Sequence, residues 1–164
     1  MKRLTLLRHA KSSWDQAGLD DHDRPLAERG RRDAPRIGER LTRRGLRPDL
    51  VLSSTALRAR ETAELVSAAL GGGSRPKLAL EPRIYLASPD ELLAVLAGID
   101  DAVGELVLVG HNPGLTELVN TLLPDLKLAN LPTAGAVAID CDTDRWQTID
   151  AARFAHRFSE FPKK

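Results

Sequence analysis

Two histidines and two arginines stand where apolar runs stop. Arg8-His9 closes the run from Leu4 to Leu7, Arg58 comes four residues after Asp49-Leu50-Val51-Leu52-Ser53-Ser54, and His111 follows Glu105-Leu106-Val107-Leu108-Val109-Gly110. A guanidinium is a permanently charged fork of donors that matches a tetrahedral oxyanion. A neutral imidazole is a competent nucleophile at physiological pH, without a metal and without deprotonating an alcohol, and it can carry a phosphoryl group on nitrogen. His9, next to Arg8, is placed for that role. Arg8, Arg58 and His111 would share the charge that spreads over the equatorial oxygens during phosphoryl transfer, and the helix N-termini expected near Arg58 and His111 add N–H groups of the same sign. By residue type this is a phosphate pocket, with Ser12 as a further ligand on the loop that follows His9.

Each piece alone has an ordinary structural explanation. An Arg-His pair at a strand end is commonly a surface pair, and a histidine before a helix can simply hold a loop carbonyl. The recurrence at three strand ends is what points to chemistry. His22 and His156 read as surface or loop histidines. A zinc site built from His9, His111 and a loop aspartate would be opposed by the flanking arginines, so neither a metal nor another cofactor is expected.

The elements that must position these groups follow from the pattern. An unbroken apolar run suits a strand covered on both faces, as in a parallel α/β sheet, and such sheets present function at the carboxyl ends of their strands. Ser12 to Arg24 is polar and reads as a loop over the first strand end, its acids available for site work. Pro25 opens a helix to about Arg44, with Leu26, Gly30, Ala34, Ile37, Gly38 and Leu41 as core stripe and Gly45 as stop. Pro35 predicts a kink there, or a true helix start near Asp33. A second helix spans about 55–70, capped by Ser53/Ser54, with Arg58 in its first turn, and Gly71-Gly72-Gly73-Ser74 is a flexible connection. Lys77 to Glu81 reads as a short strand. Ser88-Pro89 starts a helix through Ala97, and Asn112-Pro113 starts another through about Leu123, as N-cap and first helical residue. Ala136 to Asp140 and Trp146 to Ala151 pattern as two antiparallel strands near an edge, around a turn at Asp142-Thr143-Asp144.

Composition narrows the rest. A chain of 164 residues is one domain, 1–164, large enough for a real core. The formal charge of +1 hides an asymmetry: residues 24–47 hold nine Arg against Glu28, Asp33 and Glu39, and residues 81–125 hold eight acids against Arg83. No aromatic residues interleave with the arginines, so a nucleic-acid partner is not expected; a docking face for an acidic partner stays open. The single Cys141 excludes an internal disulfide and suits a reducing compartment as a small buried residue. No stretch approaches a membrane span and the first apolar run is too short for a signal peptide, which places the expected protein in the cytoplasm, as a monomer away from membranes.

The residues just named resemble the histidine phosphatase superfamily, and within it the small phosphohistidine phosphatases of the SixA type. Arg8-His9-Ala10 is similar to the superfamily's Arg-His-Gly signature, with Ala10 in place of glycine. Ser12-Ser13-Trp14-Asp15 and Asp23 to Gly30 resemble the loop and helix start that follow it. Ser53 to Ala63 resembles the segment bearing the second phosphate-binding arginine, and Val109 to Pro113 the segment bearing the second histidine. The resemblance implies a phosphoglycerate mutase-like, three-layer α/β/α sandwich around a mostly parallel sheet. It implies His9 as the phosphorylated nucleophile and Arg8, Arg58 and His111 as the pocket. The implied substrate is protein phosphohistidine or, alternatively, a small phosphorylated metabolite; a binding module without turnover is the third reading. Larger members carry an acid where Leu86 or Asn112 stands here, so Glu81, Asp15 and Asp23 become the candidates for a proton donor. The chain also lacks a long lid insertion, which implies an open site.

Overall fold

The computed structural model describes residues 1–71 and 75–162. Of the glycine-rich connection, only Gly71 falls among them. Six strands form one sheet: β1 (Lys2–Arg8), β2 (Leu50–Ser53), β3 (Lys77–Leu80), β4 (Glu105–Gly110), β5 (Ala136–Asp142) and β6 (Arg153–Glu160), in the spatial order β3-β2-β4-β1-β5-β6. The four from β3 to β1 run parallel; β5 is antiparallel to β1, and β6 is antiparallel to β5.

The apolar runs are unbroken because both faces of the sheet are covered. On one face Leu4, Leu6, Leu106 and Leu108 pack with Leu92, Leu96, Leu115 and Leu118 of α3 (Pro89–Ala97) and α4 (Gly114–Leu122). On the other, Leu7, Val51, Val107 and Val109 pack with Ile37, Leu41, Ala63 and Val66 of α1 (Glu28–Arg43) and α2 (Leu57–Ala69). This is the three-layer sandwich. Successive residues of β4 therefore bury alternately against different helix pairs, which is what removes the period-two pattern.

Two glycines of α1 set how closely it approaches. A Cβ on Gly38 would stand 2.7 Å from the Ala69 Cβ of α2, and one on Gly30 would stand 2.2 Å from the Lys11 carbonyl oxygen. The second contact docks α1 directly on the loop that follows His9.

Four local expectations are corrected. Helix α1 begins at Glu28, not near Asp33, and runs through Pro35. Pro35 leaves only the Arg31 carbonyl without its helical partner, and the buried stripe of Gly30, Ala34, Ile37, Gly38 and Leu41 outweighs that loss. Trp146 to Ala151 is a 3-10 turn, not a strand; the second antiparallel strand is β6. Trp146 and Ile149, three apart, point into the core together, and the indole Nε1 donates to the Val103 carbonyl at 2.8 Å. Helix α4 starts at Gly114, and Asn112 acts through its side chain, whose Oδ1 accepts from the Thr116 N–H at 3.1 Å. Helix α2 starts at Leu57 after Ala56, and Ser54 Oγ accepts from the Ala56 N–H before the first turn.

Cys141 is buried on β5, where burial pushes its thiol up to about 12 and leaves it inert. Among the described residues no helix is long and apolar enough to cross a membrane.

Candidate active site

The carboxyl ends of the three central strands meet in one place. Arg8 pairs with Gly110 across β1 and β4, the His9 N–H donates to the Gly110 carbonyl at 3.1 Å, and the Ser54 N–H donates to the Val109 carbonyl at 3.0 Å. Arg8, His9, Arg58 and His111 consequently line a single cleft of about 300 Å³, together with Ser12, Arg24 and Asp21. The sequence had separated these groups by up to a hundred residues; the parallel register closes that distance.

His9 is 6 % exposed. Its Nδ1 lies 2.7 Å from the Ala10 carbonyl oxygen, which can only accept, so Nδ1 carries the proton and Nε2 the lone pair. Burial, helped by the charges of Arg58, Arg8 and Arg24, holds the imidazole down to about 4, against a backbone hydrogen bond that raises it. It is neutral at physiological pH. The loop behind it is tied to α2: the Ala10 N–H donates to Thr62 Oγ1 at 2.9 Å, and that hydroxyl donates to the Arg58 carbonyl at 2.7 Å.

His111 faces His9, with ring centroids 5.1 Å apart and planes tilted by 54°. Its Nε2 is 2.8 Å from Ser54 Oγ, and its buried Nδ1 has no protein partner among the described residues. Burial first, then His9 and Arg58, lower it to about 3. Arg8 donates from Nη1 to the Leu131 carbonyl at 3.1 Å, while its buried Nε has no hydrogen-bond partner among the described residues. Both atoms belong to residues that line the cleft.

Asp21 organises the remaining charges. Arg58 donates from Nη2 to Asp21 Oδ2 at 2.9 Å and from Nη1 to the Asp21 carbonyl at 2.6 Å; Arg24 donates from Nη1 to Oδ1 at 2.8 Å; and the Tyr85 hydroxyl donates to Oδ2 at 2.6 Å. The Tyr85 bond, then those from Arg58 and Arg24, hold this carboxyl well below the usual carboxylate range. Arg24 also donates to Ser12 Oγ and stacks on the exposed Trp14 ring, 3.3 Å from its centroid.

The three acids put forward as proton donors do not line the cleft. Glu81 is drawn to its neighbour Arg83, accepting from its backbone N–H and its guanidinium at 3.0 and 2.9 Å, and that pairing lowers its carboxyl. Asp15 is exposed, and Asp23 is exposed 3.7 Å from His22 Nδ1. Sequence reasoning passed over Arg24 and Tyr85 as site residues, and held Asp21 only as one of several loop acids available for site work. Tyr85 follows the end of β3, so the strand-end rule that found the other three positions would have found it. Asp21 and Arg24 carried no such signal, because an irregular loop places them.

The family model of the histidine phosphatase superfamily (branch 1) matches residues 4–84. The Agrobacterium tumefaciens protein assigned as the phosphohistidine phosphatase SixA has a crystal structure that is 30% identical, with a TM-score of 0.83 over 99% of each chain. This chain belongs to the histidine phosphatase superfamily. Within it the chain is of the SixA type, a phosphatase by class. Two further relatives are uncharacterised proteins. One, a chloroplastic protein of Arabidopsis thaliana, is 36% identical over 128 residues, which is 74% of this chain but 59% of the relative. The other, from Mycobacterium tuberculosis, is 40% identical over 116 residues, covering 71% of this chain and 69% of the relative.

Proposed function

We propose that this histidine phosphatase removes phosphate from protein phosphohistidine, using His9 as nucleophile and Arg8, Arg58, His111, Arg24 and Ser12 as the phosphate pocket. The observation that carries the reading is the Nδ1 bond of His9 to the Ala10 carbonyl, which commits the free lone pair to Nε2 inside a cleft lined by three arginines.

In the first step Nε2 of His9 bonds to phosphorus as the bond from phosphorus to the departing imidazole breaks; that imidazole takes a proton from solvent. Water then attacks phosphorus, the electron pair of the P–Nε2 bond returns to His9, and inorganic phosphate leaves with the water's proton balanced through solvent. Arg8, Arg58 and Arg24 neutralise the oxygens throughout, and the orphaned Arg8 Nε and His111 Nδ1 are groups an oxyanion would satisfy. The same reading has the enzyme working as a cytoplasmic monomer, without a metal.

The leaving group selects the substrate class. A phosphorylated imidazole can depart as a neutral ring near neutral pH, since imidazole's own pKa is about 6.5, whereas an aliphatic ester expels an alkoxide unless an acid protonates it. Among the described residues Asp21 is the one carboxylate in the cleft lining, and Tyr85, Arg58 and Arg24 hold it ionised. The test is a substrate panel. Phosphohistidine and p-nitrophenyl phosphate should be turned over far faster than serine phosphate or phosphoglycerate, with kcat/KM for aryl phosphates rising as leaving-group pKa falls. Equal rates on serine phosphate and phosphohistidine would sink this reading in favour of a small-molecule phosphatase with a positioned acid.

A further inference from the structure

The arginines of α1 are not used by the chemistry above. Arg29, Arg32 and Arg36 follow one another at spacings of three and four, which puts them in one row on the helix surface. All three are exposed, and they line a groove of about 400 Å³ with Asp33, Pro132 and Thr133. Among the described residues Asp33 is the single acid of that lining, which also includes Pro162, and it is occupied by Arg29, 3.7 Å away. Arg32 and Arg36 have no ion-pair or hydrogen-bond partner among the described residues, so the groove carries uncompensated positive charge.

The groove adjoins the active site. Thr133 lines both the groove and the cleft that holds His9. The close packing of Gly30 on the Lys11 carbonyl keeps the start of the arginine row beside the His9 loop, and Lys11 itself is exposed in the cleft.

We propose that this groove docks an acidic segment of the phosphohistidine-bearing protein, a proposal that rests on the reading of the substrate given above. Charge complementarity selects the partner: three arginines against one paired acid favour carboxylates, and the lining offers no aromatic ring on which a nucleic-acid base could stack. Exposed ion pairs add little each, so the row acts chiefly on encounter and KM and is sensitive to salt.

Two phosphohistidine peptides of equal length, one flanked by glutamate and one by glutamine, test this on the wild type and on the double variant R32E/R36E, with p-nitrophenyl phosphate as the control. The wild type should show a kcat/KM about tenfold higher for the glutamate peptide at low ionic strength, an advantage that disappears near 1 M salt, where the Debye length is about 3 Å. R32E/R36E should abolish or reverse that preference and leave p-nitrophenyl phosphate hydrolysis unchanged. Equal rates on both peptides in the wild type, a preference that survives in the variant, an equal loss on all three substrates, or tighter binding of a single-stranded RNA oligonucleotide than of the glutamate peptide would each overturn the proposal. If neither peptide is turned over while p-nitrophenyl phosphate is, the substrate reading fails instead. Fluorescence anisotropy with the unphosphorylated peptides then decides the groove: a glutamate preference lost in R32E/R36E supports it, and equal binding overturns it.

Discussion

The rings of His9 and His111 stand 5.1 Å apart, centroid to centroid, at an interplanar angle of 54°. Burial dominates both, and it holds His9 down to about 4 and His111 to about 3. Both imidazoles are therefore neutral where an unperturbed histidine, near 6.5, would already be gaining charge. The C–H resonances of His9 should titrate at about 4 by NMR, and Arg58→Ala should raise that midpoint, because the Arg58 charge is one of its causes. The unfolded chain takes up protons below about 6.5 and the folded chain does not until about 4, so the contribution to stability is intact above 6.5 and is lost as pH falls through this window. Denaturant midpoints measured from pH 7 down to 4 should decline; midpoints flat over that range would contradict buried neutral imidazoles.

His9→Ala should reduce turnover of p-nitrophenyl phosphate by more than about 10³-fold, since positioning cannot replace a nucleophile. The fold should survive, because His9 lies past the end of β1 and not within its packed core. Circular dichroism and radiolabel trapping check the two halves separately. A retained rate, or a labelled protein without His9, would remove it from the reaction.

Arg58 is 4 % exposed, bonds Asp21 and lines the cleft. Arg58→Ala should cut kcat by roughly 10²–10³-fold, the scale for removing one preorganised charge stabiliser, and weaken vanadate inhibition in parallel. Vanadate bound as tightly as by the wild type would take Arg58 out of the pocket.

Asp21 anchors Arg24, Arg58 and the Tyr85 hydroxyl, and those bonds keep it ionised. Asp21→Asn should lower kcat/KM only about tenfold, by loosening the two guanidiniums, and should leave its dependence on leaving-group pKa unchanged. A loss confined to substrates with poor leaving groups would instead reveal Asp21 as a proton donor.

Gly30→Ala tests the joint between α1 and the His9 loop. Its Cβ would meet the Lys11 carbonyl oxygen at 2.2 Å, so either the helix or the loop must shift. The expected cost is about 1–3 kcal/mol in denaturant unfolding, with a fall in kcat because the displaced loop carries His9 and Ser12. Gly18→Ala in the same loop region meets no atom within 4 Å but has a φ of +85°, so it should cost stability without touching the rate.

What the sequence determined by itself was the strand ends. Unbroken apolar runs at Leu4, Leu50 and Leu106 announced a sheet covered on both faces, and residues at the ends of parallel strands converge whatever the length of chain between them, so Arg8, His9, Arg58 and His111 were legible as one pocket. Helix α3 was legible too, because its capping box is a local interaction between Ser88 and Glu91. Residues placed by contacts distant in sequence were not. Trp146 to Ala151 has the composition of a strand and becomes a turn because Trp146 is held by Asp101 and Val103. Among the four acids on the loop over the site, Asp15, Asp20, Asp21 and Asp23, only tertiary structure could choose Asp21. Its partners Arg58 and Tyr85 lie 37 and 64 residues away, and no local rule ranks one aspartate of an irregular loop above the next.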